Sequence, residues 1–250
     1  MSRVFITGDK HADFNSPDDY KKIEEFCKRH GTTRDDYMIV LGDHGMSYFG
    51  GWRDIHAKEK LAKIPIRFIM IRGNHDERPS MAWKHIYVDT AAVTGWFIED
   101  PDFPDILYTE EYGWYKFAGV KAFVINGAYS VDKDYRIAMH SSGWVDYKWF
   151  ADEQLSGKEM NDAHLKLIDH MREGPFVVMS HTCPISFKPF DKIDGADETM
   201  EAWMDKLYDD TIKLCPNNLK QWYCGHWHID RFVDPVRFMY HDILEVRNAN

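Results

Sequence analysis

Three features of the sequence predict an α/β fold. Short apolar runs of strand length end at glycines or polar blocks, and stretches with helical spacing separate them. The strand–helix–strand order of the N-terminal part argues for parallel pairing. Arg3–Thr7 reads as the first strand. The helix after it is capped by Ser16, with Pro17 at its first position, Gly31 beyond its end and a stripe of Tyr20, Ile23, Phe26 and Cys27. Tyr37–Leu41 and Ile66–Ile71 are the next strands, with a helix around Trp52–Lys63 between them. From about Tyr87 to Asn126 the pattern changes to short β-rich runs, among them Trp114–Phe117 and Val120–Ile125 on either side of Gly119, which read as hairpins. Ser156 and Glu159 stand at capping-box spacing with Leu155 and Met160 as a hydrophobic staple, and Leu167, Ile168 and Met171 lead to a stop at Gly174. Phe176–Met179 is a buried strand, Thr199–Leu214 a helix, Gln221–Cys224 a strand and Tyr240–Val246 a final β segment.

The 250 residues contain no repeat, low-complexity stretch or Gly/Ser linker, so one domain over 1–250 is expected. Hydrophobic residues make up 44% and aromatic residues 15%, which excludes a disordered or collagenous chain. Lys and Arg number 31 against 41 Asp and Glu, a net charge of −10 that is poorly matched to phosphate polyanions. No stable nucleic-acid complex is expected. No apolar run reaches the roughly 18 residues of a membrane span, and the N-terminus lacks a signal-peptide pattern, so a cytoplasmic protein with no membrane partner is expected. Cys27, Cys183, Cys215 and Cys224 form no C-x-x-C pair and read as reduced thiols.

The chemistry-bearing residues fall just beyond five strand ends. Asp9 and His11 follow the first strand, Asp43 the second, Asn74 and His75 the third, His181 the Phe176 strand, and His226 and His228 the Gln221 strand. The carboxyl edge of an open α/β sheet is where ligands bind. Imidazoles mixed with carboxylates suit divalent ions of the Zn, Fe or Mn type and a two-metal hydrolytic site. Any one of these residues alone would serve a turn, a cap or the core. All seven candidate ligands at strand ends together argue for a site.

Gly8-Asp9-Lys10-His11, Gly42-Asp43, Gly73-Asn74-His75-Asp76, Ser180-His181 and Gly225-His226-Trp227-His228 resemble, in order and spacing, the five signature blocks of the calcineurin-like metallophosphoesterase superfamily. The resemblance runs from about Val4 to Ile229 and points to bacterial or phage-type members. It implies a four-layer α-β-β-α sandwich of two mixed β-sheets flanked by helices. It also implies two divalent metal ions, Mn²⁺ foremost with Fe, Zn, Ni or Mg as alternatives. One would be held by Asp9, His11, Asp43 and His228, the other by Asp43, Asn74, His181 and His226. With only two carboxylates, the loaded site keeps a local charge of about +2, or about +1 with a bridging hydroxide, and so attracts phosphate. The implied reaction is attack of a metal-bound hydroxide on a phosphate ester of a small molecule or nucleotide, with His75 serving the leaving oxygen.

Protein Ser/Thr phosphatases of the family carry an acid and an arginine shortly after the second block. Gly42-Asp43-His44-Gly45-Met46-Ser47-Tyr48-Phe49 has neither. Asp76 is the substitute partner considered for His75. In Asn126–Arg136, Arg136 is the candidate phosphate clamp, against the competing reading of a surface ion pair, and Tyr129 is a candidate substrate contact. Aromatic residues near Tyr48 or Tyr129 are candidates to line a nucleoside pocket. His44 is the one further histidine to test, and Cys183 reads as a small buried apolar residue rather than a ligand. The alternatives are a nuclease or cyclic-nucleotide phosphodiesterase, and a scaffold that keeps the fold without catalysis. The complete ligand set speaks against the scaffold.

Overall fold

The computed structural model describes residues 2–12, 20–190 and 195–247. Ser16 and Pro17, expected to open the first helix, lie outside the described residues. In chain order the elements are β1 (Val4–Gly8), α1 (Tyr20–His30), β2 (Tyr37–Leu41), α2 (Gly51–Leu61), β3 (Arg67–Ile71), β4 (Lys84–Asp89), β5 (Val93–Glu99), β6 (Ile106–Thr109), β7 (Tyr112–Phe117) and β8 (Val120–Ile125). Then come α3 (Lys133–Ser141), α4 (Gly157–His170), β9 (Phe176–Ser180), a 3₁₀ turn (Ile185–Phe187), α5 (Thr199–Leu214), β10 (Leu219–Cys224), β11 (Arg231–Val233), β12 (Val236–Phe238) and β13 (Leu244–Glu245).

Among the described residues the strands form one hydrogen-bonded sheet in the order β11-β12-β10-β9-β8-β7-β5-β6-β3-β2-β1-β13, with β4 attached to β5. Two parallel runs, β1-β2-β3-β6 and β8-β9-β10-β12, are joined through antiparallel β5 and β7. The resemblance implied two sheets. They are continuous here because β5 pairs with both β6 and β7 and so bridges the runs.

Alternation along the strands explains the sheet's curl. Val4 and Ile6 of β1, Ile39 and Leu41 of β2, Ile69 and Ile71 of β3, Val124 of β8 and Met179 of β9 share one buried cluster. Strands from opposite ends of the path thus press the same apolar face together. The intervening residues point the other way. Phe5, Met38, Val40, Phe68 and Met70 pack with Tyr20, Ile23 and Cys27 of α1 and Ala57 and Leu61 of α2. Phe123, Phe176, Val178 and Trp222 pack with Met160 and Leu167 of α4 and Met204 and Leu207 of α5. The result is a mixed α/β fold, a large curled sheet flanked by helices.

Local expectations hold where a terminator or cap acts. Gly31 takes φ 57 beyond α1, and Ser156 and Glu159 form both bonds of the capping box on α4. The β7–β8 hairpin turns at Ala118 and Gly119 as expected. The C-terminal segment differs. Of Tyr240–Val246 only Leu244 and Glu245 are strand, paired to β1, because Asp230 ties the amides of Tyr240, His241 and Asp242 into a turn.

Candidate metal centre

Both parallel runs deliver their carboxyl ends to one place. The Lys10 and His11 amides donate to the Asp43 carbonyl at 3.0 and 2.7 Å, joining the segments after β1 and β2. The Gly225 amide donates to the His181 carbonyl at 2.9 Å, joining those after β9 and β10. Glycine is needed where these segments cross. A Cβ on Gly42 would lie 2.0 Å from His181 Nδ1, and one on Gly73 2.1 Å from Asp43 Oδ1.

Asp9 and His181 are fully buried, and Asp43 and Asn74 are 3% and 4% exposed. Donor atoms of Asp9, His11 and His228, of His11, Asp43 and His75, and of Asp9, Asp43 and His181 each lie within 4.8 Å of one another. His11 Nε2 faces His228 Nε2 at 3.1 Å. His181 Nε2 lies 3.3 Å from Asp43 Oδ1 and 3.0 Å from Asn74 Oδ1, while its Nδ1 bonds the Leu41 carbonyl at 2.7 Å. An imidazole anchored through one nitrogen to a backbone carbonyl, with the other turned to carboxylates, is arranged as metal-ligating histidines are. His226 joins through its backbone, its amide donating to both Asp9 oxygens at 2.9 Å, and its ring centroid lies 5.0 Å from that of His181.

Six non-glycine residues among those described have positive φ, and His11, Asp43, His226 and His228 are four of them. Left-handed backbone at such residues costs on the order of 1–3 kcal/mol each and clusters at functional sites. The sharp turns let short segments aim their side chains back across the strand ends.

The electrostatics fit a cation. Burial pushes the Asp9 carboxyl up to about 7 against the pull of His181. Burial acts the same way on Asp43, but the His181 and His75 imidazoles outweigh it and hold that carboxyl well below its usual range. Burial also lowers His226 well below the usual imidazole value and His228 to about 4, the facing His181 and His11 adding to the effect. Neutral imidazole is the ligating form. Burial opposes protonation of His181 too, yet Asp43 and Asp9 raise it to about 9. Carboxylates, imidazoles and an amide oxygen, turned inward together, fit divalent ions.

The remaining candidates lie around this cluster. The His75 amide donates to Asp43 Oδ1 at 2.9 Å; its ring stacks on Tyr48 at 5.8 Å and lies 5.4 Å from His11. Asp76 does not partner His75. Its carboxylate accepts the amides of Gly73, His44 and Gly45 and sits 3.2 Å from His44 Nδ1, so it ties the second and third segments together. His44 is buried, accepts the Met46 amide and has a lowered pKa through burial, which makes it structural. Arg136 is both ion-paired and close to the site. It bonds Asp132 and the Tyr48 hydroxyl at 2.8 Å each, and its charge acts on His75 and Asp43. The Tyr129 hydroxyl instead meets the Asp197 backbone, and burial raises its pKa, so it is not brought to the donor cluster. Cys183 is buried as expected.

Sequence reasoning marked the surroundings of Tyr48 only as a candidate aromatic lining, without its hydrogen-bonding role, and missed Ser130 and Glu153. Tyr48 joins Arg136, the Lys148 amide and the Asp146 carbonyl, and Ser130 and Glu153 stand behind Asn74. Of the two missed residues, only Ser130 carried a signal, lying in the polar run that also holds Arg136.

No curated protein matches the chain. Among solved structures it is similar to the Aquifex aeolicus protein of unknown function AQ665, at 11% identity and TM-score 0.45, covering 98% of this chain and 96% of that one. It is also similar to GAP50, the anchor in the inner membrane complex of Plasmodium, at 12% identity and TM-score 0.46, covering 94% and 70%. The profile of the calcineurin-like phosphoesterases matches residues 2–230. With a match over nearly its whole length, the chain belongs to the calcineurin-like phosphoesterase family.

Proposed function

We propose that the protein is a dinuclear metal-dependent phosphoesterase that hydrolyses a phosphate ester of a small molecule or nucleotide. The observation that carries this reading is the set of three overlapping donor groups, each pair of which shares one of Asp9, His11 and Asp43. Asp9, His11, Asp43 and His228 would hold one ion and Asp43, Asn74, His181 and His226 the other, with Mn²⁺ matching the mixed nitrogen and oxygen donors. The ions would supply Lewis acidity to the phosphoryl group and acidify a water.

The chain's own residues do the rest. His75, fixed by its amide to Asp43 and by its stack on Tyr48, serves the leaving oxygen by hydrogen bonding or proton donation. Arg136, oriented by Asp132 and Tyr48, takes phosphate oxygens. The net charge of −10 disfavours long polyanions and points to small esters. In this reading residues 1–250 form one catalytic domain, and the curled sheet with its three apolar clusters corresponds to the family's four-layer sandwich. The four buried free cysteines accord with a cytoplasmic protein, and no helix among the described residues is long and apolar enough to cross a membrane.

The test is a screen of Mn²⁺-loaded protein, its metal content verified, over monoesters, diesters, nucleotides and polynucleotides. Hydrolysis of a small ester is expected. Loaded protein that cleaves none of them overturns the reading, and preferential cleavage of polynucleotide turns it to a nuclease.

A further inference from the structure

An asparagine amide has two ends of nearly equal shape, and only its oxygen can ligate a cation. Asn74 turns its Oδ1 toward His181 Nε2, at 3.0 Å, and donates from Nδ2 to Ser130 Oγ at 2.9 Å. Ser130 is itself constrained. Its hydroxyl donates to Glu153 Oε2 at 2.5 Å, and its amide donates to Glu153 Oε1 at 3.0 Å. We propose that Ser130 and Glu153 form a relay that dictates which end of the Asn74 amide faces the metal centre, making both positioning residues of that centre. The inference rests on the dinuclear reading above.

The direction follows from donor and acceptor counts. An ionised carboxylate only accepts, so the single hydroxyl hydrogen of Ser130 is committed to Glu153 and a lone pair is left for Asn74. An NH₂ group matches that lone pair. A flipped amide would set oxygen against oxygen at Ser130 and turn the NH₂ group toward the metal donors.

The far end of the relay is anchored. The Glu153 carbonyl accepts Arg72 Nη1 at 2.9 Å and the Ala128 amide at 3.3 Å, and Arg72 is paired with Glu111 at 2.6 Å. Arg72 stands two residues before Asn74. The segment just past β3 therefore presents the amide and also holds the backbone of the residue whose carboxylate orients it. Glu153 is buried with no ion pair among the described residues, a costly placement for a carboxylate that orienting Asn74 accounts for.

The experiment titrates metal-free protein with Mn²⁺ by calorimetry, comparing the parent with Ser130→Ala and Glu153→Gln and recording thermal unfolding of each metal-free form. In Glu153→Gln the new NH₂ can donate to Ser130 Oγ, which frees the hydroxyl hydrogen to point at Asn74, so orientation is lost with little change in bulk. The parent is expected to bind two equivalents. In each folded variant one equivalent weakens by about 10–100-fold, the range for partners that orient metal ligands, while the other is unchanged. Folded variants that bind both equivalents as the parent does overturn the relay, as does a lowered unfolding temperature without selective loss of one ion. A parent that binds no pair overturns the dinuclear reading instead. Should Ser130→Ala fail to fold, the near-isosteric Glu153→Gln carries the test.

Discussion

The donor cluster and helix α3 lie on either side of Tyr48 and are built in opposite ways. Asp9, Asp43, Asn74 and His181 are buried at the ends of parallel strands, each held by backbone or side-chain bonds. None of the nine residues of α3 is buried, and Tyr135 and Ile137, like Trp144 and Val145 just beyond it, present large apolar surface to solvent. Arg136 and its bond to the Tyr48 hydroxyl link the two regions. The difference teaches where precision is required. On the proposed reading, groups that bind and polarise a reacting phosphate need fixed geometry, a demand that does not fall on an exposed helix.

The largest expected effect falls in the buried region. Asp43→Ala should bring hydrolysis to background and remove bound metal, measured by elemental analysis beside turnover. A variant that keeps both ions would break the contrast by showing the cluster to be redundant. Next, His75→Ala should lower kcat by about 10²–10⁴-fold with both ions retained, as expected for loss of a general acid. Because the His75 ring also falls within donor distance of His11 and Asp43, loss of an ion in this variant would move it from the leaving group to the ligands.

At the link, Arg136→Ala should lower kcat/KM by roughly 10–100-fold, the equivalent of a charge-assisted hydrogen bond of about 1.5–3 kcal/mol. Tyr48→Phe, which keeps the ring but removes the hydroxyl that steadies Arg136 and also bonds the Lys148 amide and the Asp146 carbonyl, should cost about 5-fold. Equal losses in the two variants would show that Tyr48 itself touches the substrate.

The smallest effect concerns the frame. Burial tends to raise the Glu159 carboxyl, but Arg78 at 2.6 Å and the Ser156 donors bring it down to about 2 from 4.5. A carboxyl with a depressed folded-state pKa stabilises fully above about pH 4.5 and loses that contribution as pH falls toward 2. Glu159→Gln should therefore unfold more easily than the parent near neutral pH, by about 1 kcal/mol for a partly exposed group, and converge with it near pH 2 in acid denaturation curves.

Asp9, His11, Asp43, His181 and His228, whose donor atoms the fold brings together in overlapping groups, stood out in the sequence because they fall just past apolar runs of strand character. Helix α4 was legible for a similar reason, since its cap and staple are local. Helix α3 was not foreseen: none of Lys133–Ser141 is buried, so its few apolar residues join no core cluster that would have marked them as a helix face. The joining of the sheet through β5 was hidden as well, since pairing between distant strands leaves no mark on local alternation. The roles of Asp76, Tyr48 and Glu153 depend on which backbone amide, guanidinium or hydroxyl each side chain meets, and the His44, Arg136 and Ser130 partners are 32, 88 and 23 residues away in sequence.

The left-handed backbone at His11, Asp43, His226 and His228 has an evolutionary consequence. Glycine, or asparagine next, would occupy those conformations at lower cost. Selection acting on foldability alone would drift toward them. If these residues serve the proposed chemistry, a descendant released from it would gain stability at the same four positions where that chemistry erodes, and its loss would be difficult to reverse.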